Sequence, residues 1–152
     1  MTKVLVIGYG NQLRSDDALG WYAIGQLAVA LDAKAVTLIA RHQLTPDLAG
    51  DMRHADLVIF VEARNGSPAG KIIQSTVEPV SAAATFTHNS SPAILLAKTQ
   101  ALYGVSPETV VFSVNGASFD FGEKLTPPVQ EALPKLVERI HALVNERTMQ
   151  RA

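Results

Sequence analysis

Two carboxylates and an imidazole, Asp17, Glu62 and His88, are the side chains of this sequence best placed to do chemistry. Two carboxylates and an imidazole can together hold a divalent metal. A metal held there would polarise a carbonyl or activate a water. Each residue lies just after a segment that reads as a strand or just before one that reads as a helix. In an open α/β sheet such positions gather on one edge, where ligands bind.

Each residue also has a plainer reading. Asp16 and Asp17 open a helix, where a carboxylate is favoured by the helix dipole by about 0.3–1 kcal/mol. Asp16 is assigned to capping that helix, which leaves the Asp17 side chain free. Glu62 continues the apolar run Leu57-Val58-Ile59-Phe60-Val61, and glutamates are rarely buried without a partner or a metal. An ion pair with Arg64 or Arg41 is the alternative. His88 precedes a helix opened by Ser91-Pro92. His42 lies near the same sheet edge and is held in reserve, His54 suits a helix C-terminus, and His141 is peripheral in the last helix.

Other chemistries are missing from the sequence. With no cysteine there is no disulfide, thiolate metal site or cysteine nucleophile. There is no Gly-x-Ser-x-Gly elbow and no His-Glu-x-x-His helix. Gly8-x-Gly10 after the first strand invites a nucleotide-binding, Rossmann-like reading, with Arg41 as an NADP-selecting residue. The third glycine of that fingerprint would fall at Leu13, so the motif is broken.

The elements that must position these residues follow from periodicity. Val4 to Ile7 reads as a strand buried on both faces, Ala35 to Ala40 and Leu57 to Val61 as the second and third strands, and Thr109 to Val114 as another buried strand. Lys71 to Val77 is a further strand, reached by too short a connection for a crossover helix, and so expected to run antiparallel. Gly20, Ile24, Leu27, Ala28 and Leu31 form the stripe of a first helix. Thr45-Pro46 opens a second, Ser91-Pro92 a third that stops at Tyr103-Gly104, and Thr126-Pro127 a last one. That last helix carries the stripe Val129, Leu133, Leu136, Val137, Ile140 and Val144, with a kink expected at Pro134 and a frayed tail from about Glu146. Ser81 to Thr87 reads as a loop. The expected fold is a three-layer α/β/α sandwich on a mostly parallel sheet of about five strands.

The chain has 152 residues, 47% hydrophobic and 18% charged, which fits one globular domain over 1–152. The net charge of −1 provides no basic surplus for nucleic acid or an anionic membrane. The apolar run after Met1-Thr2-Lys3 is too short for a signal peptide or a membrane span, so a cytoplasmic protein is expected.

Several motifs in order resemble one known family. Gly8-x-Gly10-Asn11-x-Leu13-x-x-Asp16-Asp17-x-x-Gly20 is similar to the N-terminal signature of the nickel–iron hydrogenase maturation proteases. Glu62-Ala63 resembles that family's second acidic position, where Asp is commoner, and Thr87-His88 its histidine position. Phe121 to Val129, Phe-Gly-Glu-Lys-Leu-Thr-Pro-Pro-Val, resembles its closing motif, and Ala132-Leu133-Pro134 fits as well. The likeness runs from Val4 to about Val144. Gly-Tyr-Gly-Asn-x-Leu-Arg and His42-Gln43-Leu44-Thr45-Pro46 resemble most the branch serving bidirectional, NAD-linked hydrogenases. The resemblance implies a phosphorylase/hydrolase-like fold and a monomeric, aspartic-type or metal-dependent endopeptidase. Such an enzyme removes the C-terminal extension of a hydrogenase large-subunit precursor once nickel is inserted. It also implies that Asp17, Glu62 and His88 contact nickel carried by the precursor, with Asp17 and Glu62 both open as general base. The competing non-enzymatic reading is a metal-dependent maturation chaperone that binds the precursor without cutting it.

Overall fold

The computed structural model describes residues 2–32, 34–80 and 91–149. One five-stranded sheet runs through its centre in the order β2-β1-β3-β5-β4. Strands β1 (Val4–Tyr9), β2 (Val36–Arg41), β3 (Leu57–Asn65) and β5 (Glu108–Gly116) are parallel. Strand β4 (Ile72–Thr76) lies antiparallel to β5 at the edge, as the short connection before it requires.

The alternation of side chains along the central strands builds two cores. Val4, Val6, Ile59, Val61, Phe112 and Val114 face one way. There they pack under α1 (Leu19–Ala30) and α4 (Pro127–Met149). Leu5, Ile7, Val58, Phe60 and Val111 face the other way, under α2 (Leu48–Met52) and α3 (Pro92–Tyr103). Both faces of a mostly parallel sheet are thereby covered, which makes the three-layer α/β/α arrangement expected from the strand and helix pattern.

The helix punctuation works as read for α3. The Ser91 hydroxyl accepts the Ile94 N–H at 3.2 Å, and Gly104 ends the helix in the left-handed region at φ 72°. In α4 the stripe Val129, Leu133, Leu136, Val137, Ile140 and Val144 is buried as expected. The helix runs on through Pro134, and it extends past Glu146 to Met149, where frayed chain was expected. Arg147 anchors that last turn by pairing with Glu108 of β5 at 2.8 Å. Two other expectations need correction. Thr45-Pro46 leads through turns into a helix of only five residues, and Ala28 of α1 is exposed, because the buried face of α1 centres on Leu19, Ala23 and Leu27.

The close approach of α1 to β1 depends on two glycines. A Cβ on Gly8 would lie 2.3 Å from the Gly20 carbonyl oxygen, and one on Gly20 would lie 2.5 Å from the Tyr9 nitrogen. The glycine that lets helix meet strand is therefore Gly20, not a residue at position 13. No helix among the described residues is long and apolar enough to cross a membrane.

Candidate functional site

Strands β1, β3 and β5 all run past their apolar stretches, and the site is built on those extensions. Glu62 is consequently inside β3, not after it, and stands opposite Ser113 of β5 in the strand register. With β1 on its other side, Glu62 is held from both neighbours. The Tyr9 hydroxyl donates to Glu62 Oε1, and the Ser113 hydroxyl donates to Oε2 at 3.1 Å. Neither Arg41 nor Arg64 pairs with Glu62 among the described residues. Tyr9 packs edge-on against Phe60, with ring centroids 6.4 Å apart.

Tyr9 also relates Glu62 to Asp17. Burial pushes the Tyr9 phenol above its ordinary pKa of 10.0, and the Glu62 charge and hydrogen bond push it further. The negative charge of Asp17 acts in the same direction. The one hydroxyl thus lies within electrostatic reach of both carboxylates, at the carboxyl edge of the sheet.

Asp17 is placed by the turn that leads from β1 into α1. Its Oδ2 accepts the Asn11 N–H at 2.6 Å, while Oδ1 accepts no hydrogen bond among the described residues. Gly10 takes φ 148°, where a Cβ would come within 1.9 Å of the Asp17 carbonyl oxygen. The Gly10 carbonyl accepts the Trp21 indole N–H at 2.9 Å, which ties the loop to α1. This arrangement also argues against a dinucleotide site. In such a site the N–H groups after the first strand face a pyrophosphate. Here the Asn11 N–H is taken by a carboxylate, whose charge would repel one.

Asp16 does something other than cap its own helix, which has no side-chain cap at either the short 3-10 turn Ser15–Ala18 or α1. It is fully buried and turned toward the other end of the chain. Oδ2 accepts the N–H groups of Ala117 and Ser118 at 2.8 and 3.1 Å and the Thr126 hydroxyl at 2.7 Å. Oδ1 accepts the Thr126 N–H at 2.7 Å, immediately before α4. Four donors satisfy the charge, so burial is tolerated. Ser15 beside it takes φ 51° and donates to the Asp120 carbonyl at 2.8 Å. The segments 14–16 and 117–126 form one unit, and this unit fixes where Asp17 stands.

His88 lies outside the described residues, and among the described residues no three His, Asp or Glu side chains form a metal-holding group. His42 is exposed just past β2, His54 is exposed after α2, and His141 contacts Asn145 at 3.2 Å on α4. Sequence reasoning missed Tyr9 and Ser113. A signal existed for the second, a serine interrupting the apolar run of β5.

No protein-family model and no curated protein matches the chain. Solved structures do. HycI, a NiFe hydrogenase maturation protease from Thermococcus kodakarensis, superposes with a TM-score of 0.76 at 22% identity, over 95% of this chain and 93% of that one. The hydrogenase maturating endopeptidase HybD from E. coli superposes at 0.78 and 23%, over 96% and 94%. The hydrogenase 2 maturation peptidase from a Thaumarchaeota archaeon gives 0.70 and 26%, over 97% and 98%. Matched nearly end to end, this chain has the α/β fold of the hydrogenase maturation endopeptidases.

Proposed function

We propose that this chain is an endopeptidase that removes the C-terminal extension of a nickel–iron hydrogenase large-subunit precursor after nickel insertion. One observation carries the reading. Glu62, held by the Tyr9 and Ser113 hydroxyls, stands with the Asp17 turn at the carboxyl edge of a sheet whose fold is that of hydrogenase maturation proteases. Asp17, Glu62 and His88 contact nickel that arrives with the precursor, so the metal is part of the substrate. The donor chemistry fits. Asp17 Oδ1 is open among the described residues, and each Glu62 oxygen keeps a lone pair after accepting one O–H. Nickel supplies part of the binding energy, which admits the loaded precursor and excludes the empty one. The resemblance of Gly8-Tyr9-Gly10-Asn11-x-Leu13-Arg14 and His42-Gln43-Leu44-Thr45-Pro46 to the branch serving bidirectional, NAD-linked hydrogenases supports such a hydrogenase as the source of the precursor.

Incubation of the protein with nickel-loaded and nickel-free precursor, followed by mass spectrometry, tests the reading. The expected result is loss of a C-terminal peptide from the loaded form alone. Binding without mass loss would make the protein a non-cleaving chaperone. Equal cleavage of both forms would overturn nickel recognition.

A further inference from the structure

The Glu62 arm is one methylene longer than an aspartate would be, and two hydroxyls hold its end. They come from β1 and β5, the strands on either side of β3. Tyr9, Glu62 and Ser113 share the sheet face that carries Phe60 and Val111, so the three meet without crossing the sheet. A glutamate has three side-chain torsions, and ordering them costs free energy that a ligand would otherwise have to supply. Here Tyr9 is itself fixed by its edge contact with Phe60.

We propose that Tyr9 is a positioning residue for Glu62. Its phenol orients the carboxylate so that the remaining lone pairs face the incoming metal of the substrate, with Ser113 as the weaker second support. The inference rests on the reading of Glu62 as a nickel-contacting residue. Hydrogen-bond partners of this kind fix a ligand's orientation, and their loss typically costs about 10–100-fold in metal affinity or activity. The Tyr9 ring packs on Phe60 through carbon, so Tyr9→Phe removes the hydroxyl and keeps the packing.

The test measures cleavage of nickel-loaded precursor by the full chain, together with precursor affinity and thermal melts. Tyr9→Phe should lower kcat/KM about 10–100-fold with an unchanged melting temperature. Ser113→Ala should give a smaller loss in the same direction. The affinity for loaded precursor should fall in Tyr9→Phe but should be the same for Glu62→Ala with and without the Tyr9 change, because the phenol acts only through Glu62. Wild-type cleavage by Tyr9→Phe would overturn the proposal. So would an equal affinity loss in both Glu62 backgrounds, which would mean that Tyr9 touches the substrate itself. Should Tyr9→Phe fail to fold, an undiminished Ser113→Ala would count against the carboxylate being held from both sides. Wild-type processing by Glu62→Ala would instead remove Glu62 from the site, which is a failure of the underlying reading and not of the positioning argument.

Discussion

Gly8 and Gly20 face each other across the β1–α1 contact with no space for a methyl group on either. A Cβ on Gly8 would sit 2.3 Å from the Gly20 carbonyl oxygen, which belongs to backbone and cannot swing away. Gly20→Ala should therefore push α1 off the sheet and destabilise the fold by about 2–3 kcal/mol, as overpacking does. Chemical denaturation checks this. Gly25→Ala, where a Cβ meets nothing within 4 Å, is the matching control and should not destabilise.

Asp16→Ala should cost more than a helix cap. It leaves the N–H groups of Ala117, Ser118 and Thr126 without their acceptor. The expected destabilisation is roughly 3–5 kcal/mol, against about 1 for an ordinary N-cap. Denaturant midpoints at neutral pH measure it. A loss under 1 kcal/mol would mean that water replaces the carboxylate there.

Gly10→Ala should damage the site more than the fold. The new Cβ, at φ 148°, meets the Asp17 carbonyl oxygen at 1.9 Å and displaces the turn that aims Asp17. Precursor cleavage should fall at least tenfold, as expected when a contacting group shifts by about 1 Å. A crystal structure of the variant would show Asp17 moved; an unmoved Asp17 with lost activity would refute the cause.

The half-buried phenol of Tyr9 makes the protein sensitive to alkali. Its pKa is raised above 10.0 in the folded state, first by burial and then by Glu62. The neutral form is thus favoured by folding. Stability from this source is complete below pH 10 and is lost as pH rises through the folded-state pKa. Melting temperature should decline above pH 10 more steeply in the wild type than in Tyr9→Phe. Parallel curves would show that Tyr9 ionises equally in both states.

His88→Ala should abolish cleavage of the nickel-loaded precursor, read by mass spectrometry alongside a thermal melt that verifies the variant is folded. Normal processing by this variant would remove His88 from the nickel contact set.

The two-faced apolar strands were legible in the sequence because Val4–Ile7 and Leu57–Val61 are continuous apolar runs. The antiparallel β4 was legible too, because residues 66–71 cannot hold a helix. Glu62 read as following a strand because hydropathy stops at Val61, whereas the hydrogen-bonded ladder continues to Asn65. Tyr9 and Ser113 were hidden because their roles depend on which strands lie side by side, and the order β1-β3-β5 is not written in any local pattern. Asp16 was misread for a related reason. A carboxylate beside a helix start suggests that helix, yet its donors stand 101 to 110 positions away.

That separation sets a clock on the ribosome. Asp16 leaves the exit tunnel long before Thr126 has been added, and at about 5–20 residues per second the gap of 110 positions lasts roughly 5–20 s. From the addition of Glu62 until that of Thr126, the nascent chain has Asp17 and Glu62 but lacks the Thr126 partner that holds the Asp17 turn. A translation product that ends between residues 62 and 126 carries both acids but not the Thr126 contacts that hold the Asp17 turn.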